Sequence, residues 1–359
     1  MLGWDDSRGK PGLSPAGAAI LKLYDRDAAQ ELRHLLGRFT RAPVAHLPTP
    51  LQDCPRLGEA LGGPRIYIKR DDMTGLAMGG NKARQFTYSL GPALENGCDY
   101  LVHGSDSQSN QSAQTAAAAA RLGMKSIVVI PRDHRSYPVS GNLLLNHLMA
   151  DQIKYVFPLT VKDELKKQIY ELESKGSKAY DTSSDGAILR AVAYVDAVLE
   201  LCEQLAQRSI TPRAIYTSSM THTIVGLVVG LRAVSASFKA VGLNYWVGDD
   251  REMQERLAPV ANECASVIGL NHTFTPDDFD VSCAFAKPDF GEPSRTSLET
   301  MRLVAQTEGI VLDPVYTAKA MDGLAIHIRE GRFQTDDSVI FLHTGGTPAV
   351  FAYGDELFG

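Results

Sequence analysis

Two spacings of hydrophobic residues alternate along this chain, and they predict its secondary structure. Apolar residues at every second position, as in "RIYIKR" and "DYLVHG", indicate strands, and apolar residues three and four positions apart indicate helices. A Ser-Pro start followed by helical spacing predicts a first helix over residues 15–36. Strands and helices then alternate, which is typical of a parallel sheet with helices on both faces.

The alternation runs through the chain in two rounds. The first round places strands at "DYLVHG", "KSIVVIP" and "IKYVF" and helices at "QSAQTAAAAARLG", "GNLLLNHLMA" and "TVKDELKKQIYELESKG". The second places strands at "RAIYTSS", "AVGLNYWVG" and "SVIFLHT" and helices at "ILRAVAYVDAVLELCEQLAQ", "THTIVGLVVGLRAV" and "REMQERLAPVANECASVIG". No low-complexity linker separates the rounds, so we predict an α/β protein in which structured chain crosses any domain boundary.

Charge and composition exclude several classes of protein. The 359 residues contain 36 Lys plus Arg and 42 Asp plus Glu, a net charge of -6, with no basic tract for a nucleic acid backbone. No stretch approaches the roughly 18 uninterrupted apolar residues of a membrane span, and the first residues lack a signal peptide's apolar core. Five scattered cysteines without CxxC spacing favour reduced thiols over disulfides or a zinc site. We expect no nucleic acid or membrane partner, no metal and a cytoplasmic location.

The heptapeptide "GGNKARQ" places Lys82 after two glycines, at the start of a helix predicted over "NKARQFTYSLGPAL". A helix N-terminus carries partial positive charge, so an acidic residue is more usual there than a lysine. One interpretation is a solvated lysine behind a Gly-Gly turn. The other is an amine whose surroundings lower its pKa, so that it can form a Schiff base with an aldehyde.

Three further polar segments follow predicted strands. "GSDSQSNQ" opens an Ala-rich helix whose N–H groups could hold a carboxylate, although a simple Ser/Asn N-cap also explains it. "TSSMTHT" precedes an apolar helix and offers hydroxyls for a phosphate, but without the glycines of a phosphate loop. "FLHTGGTPAVF" ends a strand at Thr344, and its glycines would let backbone approach a ligand closely. His343 is interpreted there as a packed or capping histidine.

Together these segments resemble the pyridoxal-phosphate (PLP) enzymes of the tryptophan synthase β-like fold, fold type II. Within that fold they are similar to the D-cysteine desulfhydrase and 1-aminocyclopropane-1-carboxylate (ACC) deaminase family. The resemblance extends from "LPTPL" to "VFAY", and its motifs are "IKRDDMTGLAMGGNKAR", "QSNQ", "LDPVYTAKAMDGL" and "HTGGTPAVFAY". It implies a PLP cofactor, a small amino-acid substrate and a homodimer whose subunits each have two three-layer α/β domains. The large domain would contain residues 1–84 and 195–359, and the small one residues 85–194.

The resemblance also implies which residues hold the cofactor. Lys82 matches the lysine that forms the Schiff base and moves the substrate proton, and Asn81 matches the residue beside the phenolic oxygen. Thr344, followed by Gly345, would lie by the pyridine nitrogen, where a neutral hydroxyl favours loss of a β leaving group over transamination. The phosphate is expected against one segment, which consists of Ser219, Met220, Thr221, His222 and Thr223.

A second group of residues would hold the substrate. Ser109, Asn110 and Gln111 match the segment that grips the substrate carboxylate and, in ACC deaminases, supplies a hydroxyl near the reacting carbon. Tyr316 matches a tyrosine set against substrate and ring. Phe290 stands in the pocket where the family has a tyrosine, and phenylalanine cannot donate a hydrogen bond.

Several positions depart from the family pattern. Gln85 stands where ACC deaminases have a lysine that helps the phosphate, and Thr317 stands where they have a glutamate. Gln111 replaces a histidine of the desulfhydrases and is deaminase-like. Arg190 follows "SDGA" where a small residue is usual, and it is either a residue of a reshaped pocket or a solvated helix residue.

We therefore predict a PLP-dependent lyase that takes a proton from Cα of a small amino acid and eliminates a β substituent, giving a 2-oxo acid and ammonia. D-Cysteine is the nearest substrate known in the family. The alternatives are an ACC deaminase, a β-replacement synthase and a non-catalytic PLP-binding protein.

Overall fold

A computed structural model describes residues 23–132, 138–219 and 221–358. The strands of this part of the chain are β1 (Leu51–Asp53), β2 (Arg65–Arg70), β3 (Tyr100–Gly104), β4 (Lys125–Pro131), β5 (Gln152–Val156), β6 (Ala179–Asp181), β7 (Ala214–Ser218), β8 (Lys239–Leu243), β9 (Asp280–Ser282) and β10 (Ser338–His343).

The α-helices that connect and cover these strands are α1 (Arg26–Leu36), α2 (Pro55–Leu61), α3 (Asn81–Ser89), α4 (Gly91–Glu95), α5 (Asn110–Leu122), α6 (Gly141–Met149), α7 (Val161–Glu173), α8 (Leu189–Arg208), α9 (His222–Ala233), α10 (Asp250–Ile268), α11 (Arg295–Glu308), α12 (Thr317–Arg329) and α13 (Gly354–Phe358). Short 3-10 turns lie at Asp71–Met73, Leu76–Met78, Pro158–Thr160, Pro276–Asp278, Ala284–Ala286 and Thr347–Ala352.

The strands form two parallel-rich sheets, which confirms the predicted α/β fold. The larger sheet has the order β1-β2-β10-β7-β8-β9, and within it β1 is antiparallel to β2 while the other neighbours are parallel. The smaller sheet has the order β5-β4-β3-β6 and is parallel throughout. Each sheet therefore presents the carboxyl ends of its parallel strands at one edge, where open α/β sheets bind ligands.

Hydrophobic residues bury both faces of the larger sheet. Helices α1, α8, α9 and α10 pack on one face and α2, α11 and α12 on the other, each through its own apolar cluster. Helix α9 packs closely against α8 at Gly226, where there is no room for a side chain. A Cβ added there would lie 2.3 Å from the carbonyl oxygen of Ala191. The first turns of α8 and α9 are thereby held side by side.

The domain boundaries at residues 84/85 and 194/195 stay a prediction. The smaller sheet begins at Tyr100 and ends at Asp181, inside the predicted small domain. Both predicted boundaries fall within helices, the first in α3 and the second in α8. These two helices pack against each other.

Three element predictions need correction. The first helix begins at Arg26, because the Asp25 carboxylate accepts from the amides of Asp27 and Ala28 and caps it there. Residues 23–25 are not helical, and residues 15–22 of that prediction lie outside the described residues. The helix predicted over "NKARQFTYSLGPAL" is divided into α3 and α4, and Pro92 has no N–H to continue it.

The third correction concerns the strand predicted over "AVGLNYWVG". It ends at Leu243, and the following residues leave the sheet. Four of the five cysteines are buried and all are free, with Cys98 half-buried. Among the described residues, no helix is both long and apolar enough to cross a membrane.

Candidate active site

The carboxyl ends of both sheets meet at a cavity of about 340 Å³. Segments that follow β3, β7, β8 and β10 line it, together with the start of α3. The cavity lining includes each predicted site residue that the structure describes: Asn81, Lys82, Ser109, Asn110, Gln111, Ser219, Thr221, His222, Thr223, Phe290, Tyr316, Thr344 and Gly345. Met220 lies outside the described residues.

Lys82 is the second residue of α3 and is half-buried in the cavity wall. Burial, followed by the positive charge of Arg190, lowers the pKa of its amine to about 8. Its Nζ lies 3.4 Å from Oε1 of Gln85, a weak contact to a neutral group. Near neutral pH a useful fraction of this amine is therefore unprotonated, as nucleophilic attack on an aldehyde requires.

Two glycines fix the start of α3 against the loop that follows β10. The amide of Asn81 donates to the carbonyl of Thr344 at 2.8 Å. A Cβ added at Gly345 would lie 2.5 Å from Cα of Gly80, and both glycines have positive φ. The two glycines thus allow the backbone before α3 to lie directly against the backbone that follows β10. This contact holds Lys82 and Thr344 on adjoining parts of the cavity wall.

The segment after β3 forms a helix N-terminus that faces the cavity. Ser109 caps α5, and its Oγ accepts from the amide of Ser112 at 3.3 Å, so its hydroxyl proton can be donated elsewhere. The Asn110 side chain accepts from Nδ2 of Asn142 at 2.7 Å, and Nε2 of Gln111 donates to the Thr182 carbonyl at 2.6 Å. This end of α5 can bind an anion such as a carboxylate.

The segment between β7 and α9 is the predicted phosphate site. The Ser219 amide donates to the Leu243 carbonyl at 3.3 Å, so this residue can offer a ligand its hydroxyl rather than its N–H. Gln85 contacts the segment, with Nε2 3.3 Å from Oγ1 of Thr223. Burial, then the charges of Arg190 and Lys82, lowers the pKa of His222 to about 3, so that its ring is neutral.

Aromatic rings form the opposite wall. Trp246 stacks on Phe290 with centroids 4.9 Å apart, and Tyr245 meets Tyr316 edge to face at 4.6 Å. Burial raises the pKa of Tyr316 well above its usual range, so its phenol stays protonated. Gln111 and Phe290 line the same cavity, as expected, and the Phe290 ring brings no hydrogen-bonding group to it.

Two residues weighed from the sequence lie away from the cavity lining. His343 is fully buried, with Nε2 3.0 Å from the Val311 carbonyl and Nδ1 accepting from the Gly345 amide, so it is a packed histidine as interpreted. Thr317 is also buried, and its Oγ1 donates to the Asp313 carboxylate at 2.6 Å.

Sequence reasoning missed several lining residues, among them His103, Ser183, Tyr245 and Trp246. Tyr245 and Trp246 were assigned to a strand that ends before them. His103 carries its own signal, a polar residue at the carboxyl end of an apolar strand. Arg190 is a cavity residue and not a solvated one, being 6% exposed.

Beneath Lys82, a network of buried charges anchors α3 to the rest of the fold. Arg84 is 1% exposed and donates two hydrogen bonds of 2.8 Å to the Asp71 carboxylate. It also donates to both oxygens of Glu200 at 3.0 and 3.1 Å, and Glu200 accepts from Lys69. Each charge in this network has an opposite partner, as buried charges require.

The sequence profile of a family described as pyridoxal-phosphate dependent enzymes matches residues 44–345. This chain belongs to that family. PLP is therefore its cofactor, and the predicted resemblance is confirmed.

Similar proteins indicate which PLP-dependent enzymes this chain resembles. D-Cysteine desulfhydrases of Salmonella choleraesuis (strain SC-B67) and Salmonella paratyphi C (strain RKS4594) are each 35% identical over 326 residues, which cover 89% of this chain and 98% of theirs. A crystal structure described as an ACC deaminase homologue is similar with a TM-score of 0.80 and 30% identity, covering 91% of this chain and 98% of its own. A fungal L-serine ammonia-lyase from Rhizomucor miehei, at a TM-score of 0.61 and 17% identity over 87% and 98% of the two chains, shares the fold. The chain is a PLP-dependent lyase.

The residues of the cavity fit this cofactor. Lys82 supplies an amine of lowered pKa for the aldehyde, and Thr344 supplies a hydroxyl on the adjoining wall. The amides of His222 and Thr223 at the start of α9 have no intrahelical acceptors and suit a phosphate. The next amide, that of Ile224, donates to Oγ of Ser219 at 3.1 Å. Ser218 lines the cavity with a buried hydroxyl that has no hydrogen-bond partner among the described residues. The individual roles of these residues stay predictions.

Proposed function

We propose that this PLP enzyme catalyses α,β-elimination on a small β-substituted amino acid of the D-cysteine type and yields a 2-oxo acid and ammonia. The observation that carries the proposal is the cavity itself. It combines a Lys82 amine of lowered pKa, a helix N-terminus capped by Ser109 and a Phe290 wall without a hydroxyl. The names of the desulfhydrase relatives support the same reaction.

Bound PLP would stabilise the negative charge that develops at the substrate's Cα. The proton from Cα has to be taken by a base in its neutral form, and Lys82 meets that condition because burial and the nearby Arg190 lower its pKa to about 8. The amine that binds the cofactor can thus also accept the proton once substrate has displaced it.

The substrate carboxylate would bind at the N-terminus of α5. The first amides of that helix point outward without intrahelical acceptors, and the Ser109 hydroxyl adds a donor. The Gln111 side chain is engaged by the Thr182 carbonyl, which orients the segment. With the carboxylate fixed there, Cα is held at one place relative to Lys82.

Loss of the β substituent needs little help from the aromatic wall. Electrons of the broken Cα–H bond form the Cα=Cβ double bond, and the Cβ–S pair leaves with sulfur as the hydrosulfide anion, while the Cα proton is on Lys82. Water then converts the released enamine into a 2-oxo acid and ammonia. Phe290 offers no proton, so good leaving groups are favoured over substrates that need an acid at this position.

The test is a panel of D- and L-forms of cysteine, β-chloroalanine and serine, together with ACC, with detection of the 2-oxo acid. We expect turnover of the substrates with good leaving groups, fastest in one enantiomeric series, and little turnover of ACC. An added thiol should not be incorporated, which distinguishes elimination from β-replacement. ACC turnover equal to that of the best β-substituted alanine would contradict the proposal.

The second candidate is an ACC deaminase. The similarity to the ACC deaminase homologue and the deaminase-like Gln111 favour it. Phe290 argues against it, because ring opening depends on acid and base groups around a strained carbon. Thr317 and Thr344 argue against it as departures from the ACC deaminase pattern. The homodimer and the cytoplasmic location also stay predictions.

A further inference from the structure

Arg190 is a buried cation that forms no ion pair with a carboxylate among the described residues. Its Nη2 donates to the carbonyls of Thr182 and Ser183 at 2.7 and 2.8 Å. Its Nε is buried and has no hydrogen-bond partner in the described part of the chain. Burial lowers the pKa of Arg190, and the opposing longer-range effects of Tyr180, Asp181 and Asp185 do not offset it. A buried charge in this condition is costly unless a ligand supplies the opposite charge.

A second buried nitrogen beside it also lacks a partner among the described residues. Ser183 Oγ lies 3.1 Å from Nδ1 of His103, and the tautomer in which this hydroxyl donates to Nδ1 places the ring proton on Nε2. That Nε2 is buried without a partner among the described residues, and the residue lines the cavity. Arg190 and, in this tautomer, His103 thus offer two unsatisfied donors to an anion in the cavity.

Arg190 lies near the start of α9, the helix that follows the predicted phosphate segment. Arg190 precedes Ala191, whose carbonyl packs against Gly226 in the first turns of α9. After burial, the charge of Arg190 is the next largest cause of the lowered pKa of both His222 and Lys82. The guanidinium is therefore close enough to the phosphate segment and to the amine to act on both.

The phosphate segment has no cation of its own among its described residues. His222 is neutral, Gln85 and Thr223 carry no charge, and Lys82 is consumed by the aldehyde. A phosphate dianion at the start of a helix is bound more tightly when a guanidinium is present as well.

We propose that Arg190 binds the phosphate of PLP, with His103 as a neutral donor, and supplies the positive charge that the segment 219–223 lacks. This role needs the cofactor, which the family establishes, and not the substrate proposed above. Failure of one proposal therefore leaves the other untouched.

The test compares PLP with pyridoxal, which has the same aldehyde and no phosphate. Each is titrated into the cofactor-free full-length protein, and binding is followed by visible absorption. At a pH above the pKa of Lys82 in both proteins, where the amine is neutral with or without the arginine, Arg190→Gln should weaken PLP binding by about ten- to a hundredfold, the effect of one charge-assisted hydrogen bond, and leave pyridoxal binding unchanged. Arg256→Gln, at an exposed position on α10, is the matched control and should change neither.

Two further variants keep the test decisive. Arg190→Lys should recover part of the PLP affinity, and adding Gln85→Lys to Arg190→Gln should recover it by supplying a cation from α3. Inorganic phosphate should stabilise the wild-type apoprotein against heat more than the Arg190→Gln apoprotein. Equal weakening of PLP and pyridoxal would mean a purely structural residue and overturn the proposal. Unchanged PLP binding with a raised KM for substrate would assign Arg190 to the substrate carboxylate, and it too would overturn the proposal.

Discussion

Arg84 and Arg190 are both buried arginines on helices that border the cavity, and they differ in what faces their charge. Arg84 has the carboxylates of Asp71 and Glu200, which hold its pKa above the usual range despite burial. Arg190 has two carbonyl groups, and burial lowers its pKa. A buried charge that the protein neutralises is part of the fold, whereas one that it leaves without a counter-charge in a cavity indicates an anionic ligand.

The two arginines differ in their effect on the pKa of Lys82. Arg84 is only two positions away in α3, yet the charge that lowers the pKa of Lys82, after burial, is that of Arg190. The neutralised arginine has no part in the shift. Burial is thus the main cause of the shift, and the charge that adds to it comes from α8 and not from the lysine's own helix.

The largest expected effect comes from removing this amine. Lys82→Ala should abolish the visible absorption of bound PLP and lower turnover by at least about a thousandfold, because the Schiff base and the proton acceptor are both lost. Thermal unfolding of the apoprotein should stay close to wild type. Lys175→Ala, at an exposed position, is the control. Retained absorption would place the cofactor lysine elsewhere.

The two arginines themselves give the next effect. Arg84→Met should lower the free energy of unfolding by about 3–5 kcal/mol, because it leaves the buried Asp71 carboxylate without its partner. Arg190→Met should change it by less than about 1 kcal/mol in the apoprotein, since no carboxylate is orphaned. Urea unfolding followed by circular dichroism measures both. Similar losses in the two variants would remove the distinction between them.

The pH dependence of cofactor binding gives a smaller effect. The Lys82 amine has to be neutral to react, so the rate of Schiff-base formation in the apoprotein should rise with pH and level off above about 8. Arg190→Gln removes a neighbouring positive charge that disfavours the protonated amine, so the midpoint should move to higher pH. Stopped-flow absorption across the pH range measures it. A midpoint that moves to lower pH would contradict the assignment.

The smallest effect tests whether the two walls of the cavity act independently. Phe290→Tyr should raise ACC turnover relative to elimination and change the Kd of PLP by less than about twofold, because the aromatic wall lies apart from the phosphate end. Arg190→Gln should raise the Kd of PLP and leave the ratio of ACC turnover to elimination unchanged. In the double variant the two effects should add, and a strong deviation from additivity would show that the walls are coupled.

Local patterns were sufficient for most of the fold. The two hydrophobic spacings predicted most of the longer strands and helices, since a strand or helix buries its own periodic face wherever it packs. Helices α11 and α12, of 14 and 13 residues, were not predicted. Strands β1, β6 and β9 were missed because each is three residues long and is defined by pairing with a distant strand. The family resemblance carried by the motifs also predicted that Lys82, Ser109 and Tyr316 lie at one site.

Only the tertiary structure decided which charged side chains are buried and whether an opposite charge neutralises them. Sequence alone left Arg190 as either a pocket residue or a solvated one, and it did not single out Arg84. The partners of Arg84 lie 13 and 116 positions away, so no window of sequence contains the whole network. Hydrophobic periodicity is a local property of the chain, but the neutralisation of a buried charge depends on which distant groups the fold brings within a hydrogen bond of it.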